Sequence, residues 1–214
     1  MPRACLRRYP SLSILRRSHG SAHAACDESR GERIDIELIK YPTDDDWLFC
    51  KACTLVTVGK DAKTPPGLEW KHKILEARHS PIRTLQFAFR ITGIPYCDSV
   101  HLCRHVHAQP FVQSQRNDRQ SRYDRRKAPQ DAPVNMIWYM NAEELMTVVS
   151  KRTCLQAAAE TRAIVGRMKA LVESQLPEFA GLLEPPCVWQ NGVCHEMFPC
   201  GRHTGSDGYI GGIE

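Results

Sequence analysis

Apolar side chains fall into two strong periodic runs. Leu85, Phe87, Phe89 and Ile91 alternate with Gln86, Ala88, Arg90 and Thr92, and period two predicts a strand with one face in the core. Downstream, Leu145, Val148, Val149, Arg152, Leu155 and Ala159 recur at helical spacing, which predicts one helix from Asn141 to about Glu173, ended by the approach of Pro177. Asn141 followed three residues later by Glu144 predicts a capping box at its start. Two weaker patterns precede these. Ile34 to Ile39 alternates over six residues and reads as a strand. Asp45 to Val56 reads as a helix that begins at the Asp44-Asp45-Asp46 cluster, where the macrodipole favours negative charge. Lys60 to Gly67 is a polar loop with two prolines, and Pro95 is expected in the first turn of a helix reaching about His107.

The flanks differ in character. Residues 1–30 carry Arg3, Arg7, Arg8, Arg16 and Arg17 with no acidic residue before Asp27; they read as a transit-like, unstructured or spurious extension outside the fold. A folded domain over 31–200 and a flexible, Gly-rich tail over 201–214 complete the division. With 214 residues, 42% hydrophobic and 25% charged, the chain is one domain with extensions or at most two small ones. Wholesale disorder and a fibrous repeat are excluded. No apolar run approaches the ~18 residues of a membrane span. A net charge of +5 and a pI near 8.7 suggest anionic ligands. Ten cysteines without the apolar core of a signal peptide read as reduced thiols in a cytoplasm.

Candidate chemistry concentrates between His101 and Lys127. Arg104, Arg116, Arg119, Arg122, Arg125, Arg126 and Lys127 face only Asp118 and Asp124 there. Guanidinium groups at that density hold phosphates through bidentate bonds, or form a solvated basic loop. Arg152 is sharper, because a cation on the core-facing stripe of a helix requires an acceptor. Glu144 or Glu160 would serve structurally. Cys50 and Cys53 have the spacing of a zinc knuckle or redox pair but lie in the expected first helix, so a packing role is preferred. Cys187, Cys194 and Cys200, with His195 and His203, form either a soft-ligand site or a loosely ordered tail. GxGxxG, GxxxxGK[ST] and GxSxG motifs are absent, so any nucleotide must be held by arginines.

Taken in order, these segments resemble the flavin-dependent thymidylate synthases, also called thymidylate synthase complementing proteins. Arg104-His105-Val106, seven residues and Ser114 reproduce the spacing of the family's Arg-His-Arg signature. Asn141-Ala142-Glu143-Glu144-Leu145, with Arg152 eleven residues after Asn141, resembles its Asn-Ala-Arg-x-Leu helix and activating arginine. Arg125, four residues before Pro129, resembles the arginine of the family's Ala-Arg-x-x-Leu-Pro segment. His79 lies where a flavin-contacting histidine is expected. Val106 and Glu143 depart from the pattern, each standing where it has Arg; Val112 departs where an acidic or amide residue is usual; and the stretch from Ser114 to Asn141 is short.

The resemblance implies an α+β fold, an antiparallel sheet packed with helices, and a cytoplasmic homotetramer whose active sites draw on more than one subunit. It implies reductive methylation of dUMP to dTMP with methylenetetrahydrofolate, FAD and NADPH. His79, Arg104, His105 and Asn141 are then expected at the flavin. His101, Arg104, Ser114, Gln115, Arg116, Arg125 and Arg152 are expected at dUMP, with Arg152 as the catalytic cation. No metal, membrane or nucleic-acid partner is implied. A nucleic-acid-binding module, and a nucleotide-binding relative without catalysis, are the alternatives.

Overall fold

The computed structural model describes residues 34–116, 118, 119, 124 and 126–202. Arg122, Arg125, His203 and the two terminal segments, 1–30 and 203–214, lie outside the described residues. Four strands, β1 (Asp35–Lys40), β2 (Gln86–Pro95), β3 (Gln109–Val112) and β4 (Pro133–Asn141), make one antiparallel sheet in the order β1-β2-β4-β3. The helices are α1 (Asp44–Leu55), α2 (Leu68–Glu76), α3 (Tyr96–Leu102), α4 (Ala142–Arg152), α5 (Ala159–Gln175) and α6 (Pro186–Trp189). Among the described residues no helix is long and apolar enough to cross a membrane.

The expected strand at Leu85 is β2, and its alternation sets one face of the sheet. Phe87, Phe89 and Ile91 lie opposite Met140, Trp138 and Met136 of β4, and all six are buried. Directly opposed residues share a face, so this face carries the core. It is packed with Leu145, Val148 and Val149 of α4 and Ile164, Val165, Met168 and Val172 of α5. The other face exposes Phe111 and Ile137, which oppose each other, and carries the Arg90–Glu37 ion pair at 2.9 Å. Gly93 takes φ 73 where the β2–β4 register shifts between Ile91 and Ile94. Its amide donates to Asn135 Oδ1 at 3.1 Å, as a bulge residue freed from the ladder must find another acceptor.

Several expectations are corrected. The helix after Asn141 is two helices, because α4 ends at Arg152 and α5 starts at Ala159. Thr153 turns its hydroxyl back onto the Val149 carbonyl at 2.7 Å, and Arg162 donates to the carbonyls of Leu155 and Ala157. The Arg162 side chain thus satisfies carbonyls between the two helices that a continuous helix would have bonded internally. Leu155 is exposed as a result. The capping box at Asn141 is half formed: Asn141 Oδ1 accepts from the Glu144 amide at 2.9 Å, but the Glu144 carboxyl turns elsewhere. In α1 the cap is Thr43, in a full box with Asp46, ahead of the Asp cluster. Pro95 ends β2 and is the N-cap of α3, which stops at Leu102 rather than His107. Strand β4 and helix α2 carried no prediction. Cys50 is buried in the core from α1, its thiol pushed up to about 11 chiefly by burial, which is the packing role preferred for it.

Candidate functional site

The site grows from the ends of three elements. Arg152 closes α4, where the helix macrodipole favours a cation. Its Nε donates to His105 Nε2 at 2.9 Å and its Nη2 to the His101 carbonyl at 3.2 Å, one of the last carbonyls of α3. Neither Glu144 nor Glu160 bonds Arg152 directly, contrary to the structural partners considered for it; Glu160 is exposed. An arginine Nε–H can only donate, so His105 Nε2 must be an acceptor, and the single ring proton of the neutral imidazole sits on Nδ1. That nitrogen lies 3.4 Å from Glu144 Oε1. The three side chains therefore form one chain, from guanidinium through imidazole to carboxyl.

Burial and charge fix its protonation. His105 is pushed down to about 4, first by burial and then by the Arg152 guanidinium, so at neutral pH its contact with Glu144 is that of a neutral ring. Burial also raises the Glu144 carboxyl above the usual range, opposed by His107 and reinforced by Glu143. Arg152 is lowered by burial and then by the neighbouring charge of Arg104, which is itself exposed. Trp138 of β4 meets the His105 ring edge-on, centroids 5.9 Å apart, and backs it from the core.

Glu144 connects this chain to a cleft of about 550 Å³ lined by Arg78, Arg83, His107, Asn141, Glu143 and Thr147 as well. Arg83 and Glu143 pair through two guanidinium nitrogens, Nε at 2.5 Å and Nη2 at 3.3 Å, and this holds the Glu143 carboxyl below its ordinary range. Arg78 lies with its guanidinium carbon 4.1 Å from the centre of the Trp189 ring. Neither arginine was picked out by sequence. Their signal is long-range, since Arg83 meets Glu143 sixty residues on, and the Arg78 backbone conformation has no periodic trace.

Of the residues expected at a site, the structure brings together His101, Arg104, His105 and Arg152, with Asn141 reached through the amide of Glu144. It places the others elsewhere. His79 lines a separate, largely apolar hollow of about 220 Å³ with Thr54, Trp70 and Ile74. Ser114, Gln115 and Arg116 follow β3, whose last residue opposes Met136. Asn141 is five residues further along β4, roughly 17 Å away at ~3.4 Å per residue. Arg116 closes onto Asp118 with bonds of 2.9 and 2.7 Å. Cys187, Cys194 and Cys200 do not gather: among the described residues no group of three or more His, Cys, Asp or Glu side chains is placed to hold a metal ion.

Residues 124–178, which span β4, α4 and α5, match the model of the thymidylate synthase complementing protein family. The chain is also similar to solved structures of that fold. Thymidylate synthase X from Helicobacter pylori, solved with FAD and dUMP, is 14% identical over 71% of this chain and 99% of its own, with a TM-score of 0.54. The chain shares the fold of these proteins. A second structure of the Helicobacter pylori enzyme, also complexed with FAD and dUMP, is 16% identical over 66% of this chain and 95% of its own, with a TM-score of 0.53. The UMP/dUMP methylase PolB from Streptomyces cacaoi, bound with 5-Br dUMP, is 16% identical over 68% of this chain and 92% of its own, with a TM-score of 0.54. No curated sequence is similar enough to match. The observed α+β architecture, an antiparallel sheet with helices, is the one the resemblance implied.

Proposed function

We propose that the protein is a flavin-dependent thymidylate synthase, in which dUMP, methylenetetrahydrofolate, NADPH and a proton give dTMP, tetrahydrofolate and NADP+. The observation that carries this reading is the Arg152–His105–Glu144 chain ending at the wall of the cleft, in a fold shared with proteins solved with FAD and dUMP. FAD fits what the cleft offers: its volume is within the ~300–1,000 Å³ of small-molecule sites, and the buried Nε of Arg78 has no partner among the described residues. When bound, FAD supplies the passage of two electrons from NADPH to the transferred carbon.

The protein's own residues bind and polarise. Asn141, His79, Arg104 and His105 are assigned to the flavin. His101, Arg104, Ser114, Gln115, Arg116 and Arg125 are assigned to dUMP. Arg152 sets its cation against a uracil carbonyl, where a fixed charge stabilises the electron density that develops as C5 becomes nucleophilic. Its bonds to His105 and the His101 carbonyl hold the guanidinium in place beforehand, so little reorganisation is left for the reaction. Ser114, Gln115 and Arg116 lie at the far end of β4 from Asn141, and a homotetramer in which one subunit's loop meets another's cleft would reunite them.

Purified protein with added FAD should show a flavin absorption band, form dTMP from dUMP, and sediment as a tetramer. Arg152→Ala should abolish turnover with the fold intact; full activity in that variant would overturn the catalytic assignment. No flavin binding at micromolar FAD overturns the whole reading, and bound flavin without dTMP formation favours a nucleotide-binding relative without catalysis. The nucleic-acid reading is the alternative. Steeply salt-dependent DNA binding would favour it.

A further inference from the structure

Arg78 is the least comfortable residue of the cleft. Its backbone takes φ 47, a left-handed conformation that side chains other than glycine rarely adopt. Its Nε is buried without a hydrogen-bond partner. Its guanidinium lies over the Trp189 ring of α6, 4.1 Å from the centroid, within cation–π range. A strained backbone, an unused donor and an aromatic support together aim a cation into a cleft of about 550 Å³.

The other charges of the cleft sharpen the point. Glu143 is engaged by Arg83 through both carboxylate oxygens, and its carbonyl accepts from Thr147. Glu144 is turned toward His105. His107 lines the cleft as well. Glu143 acts on Arg78 through space but forms no ion pair with it among the described contacts. Glu143 also stands where the resemblance expects an arginine, so at that position the chain carries the opposite charge, while Arg78 and Arg83 supply positive charge nearby.

We propose that Arg78 and Arg83 form a clamp for the phosphate groups of the bound ligand, with Trp189 and Glu143 as positioning residues that aim the two guanidinium groups. Planar guanidinium forks bind phosphate oxygens in pairs, and two of them on one cleft suit a group that carries more than one negative charge. The assignment rests on the flavin reading only in identifying the phosphates as those of a dinucleotide. One consequence is that occupancy is felt at α6, in the Cys-rich segment that sequence left without a role.

The test compares three probes on the intact chain. FAD carries flavin and phosphates, riboflavin carries flavin alone, and inorganic pyrophosphate carries phosphates alone. Arg78→Gly is the informative variant, because glycine accepts φ 47 without strain. Its Tm should equal or exceed that of the wild type, while its affinity for FAD and pyrophosphate falls by about tenfold or more, the worth of a charged hydrogen bond, and riboflavin binding is unchanged. Arg83→Met should do the same to affinity. Pyrophosphate should alter tryptophan emission in the wild type and not in Trp189→Leu. Unchanged FAD and pyrophosphate affinity in Arg78→Gly and Arg83→Met overturns the clamp, as does equal loss of FAD and riboflavin. Pyrophosphate bound through Arg78 by a protein that takes up no FAD leaves the clamp standing and ends the flavin reading; FAD and riboflavin bound alike, with no pyrophosphate binding, does the reverse.

Discussion

His105 gives the fold a specific weakness in acid. Its side chain is 10% exposed, and its pKa falls from the ordinary 6.5 to about 4 in the folded protein. Below pH 6.5 the unfolded chain takes up a proton that the folded chain refuses, so this residue's contribution is fully present above 6.5 and is lost as pH falls toward 4. At 1.36 kcal/mol per pH unit, the whole interval is worth about 3 kcal/mol, most of which is already lost at pH 4.5. Glu144 acts with the opposite sign, since burial raises its carboxyl and ionisation then disfavours the fold as pH rises. A bare pH profile mixes the two.

His105→Gln separates them. The amide can accept from Arg152 through its oxygen and donate toward Glu144 through its nitrogen, yet does not titrate. Urea unfolding of wild type and variant at pH 7 and pH 4.5 gives four stabilities. The wild type should lose about 2–3 kcal/mol more than the variant between the two conditions. Equal acid losses would refute the neutral, acceptor-type assignment of His105 and, with it, the order of donors and acceptors in the chain from Arg152 to Glu144.

Two further substitutions test the frame that holds the site. Thr43→Ala removes the hydroxyl that accepts from the Asp46 amide and donates to the Asp46 carboxylate, while the Thr43 backbone amide keeps its own bond to that carboxylate; it should cost about 1 kcal/mol in chemical denaturation without altering ligand binding. Phe179 is fully buried and meets Phe87 of β2 edge-on at 5.5 Å, so Phe179→Ala should cost about 3–5 kcal/mol. A loss below 1 kcal/mol there would mean that the Pro177–Phe179 turn is not anchored to the sheet.

What could be read in advance was whatever depends on neighbours in sequence. The alternation from Leu85 to Ile91 marked β2 because its burial follows from period two. Strand β4 alternates as clearly in the structure, with Val134, Met136, Trp138 and Met140 inward, yet methionine and asparagine are weak strand signals and Pro133 precedes them. The break after Arg152 escaped because its cause is Arg162, which binds loop carbonyls from the next helix. The same division runs through the site. Arg152 stood out as a cation among apolar positions, and His105 and Arg104 as members of a spaced motif. Arg83 and Arg78 did not, because one depends on a partner sixty residues away and the other on a backbone angle and an indole ring from the end of the chain.

The orientation forced on His105 has a consequence for how the trio answers a perturbation. With Nε2 committed to receiving and Nδ1 to giving, no proton need leave for the arginine's influence to reach the acid; polarisation of the ring transmits it. Altering either end therefore changes the field at the other.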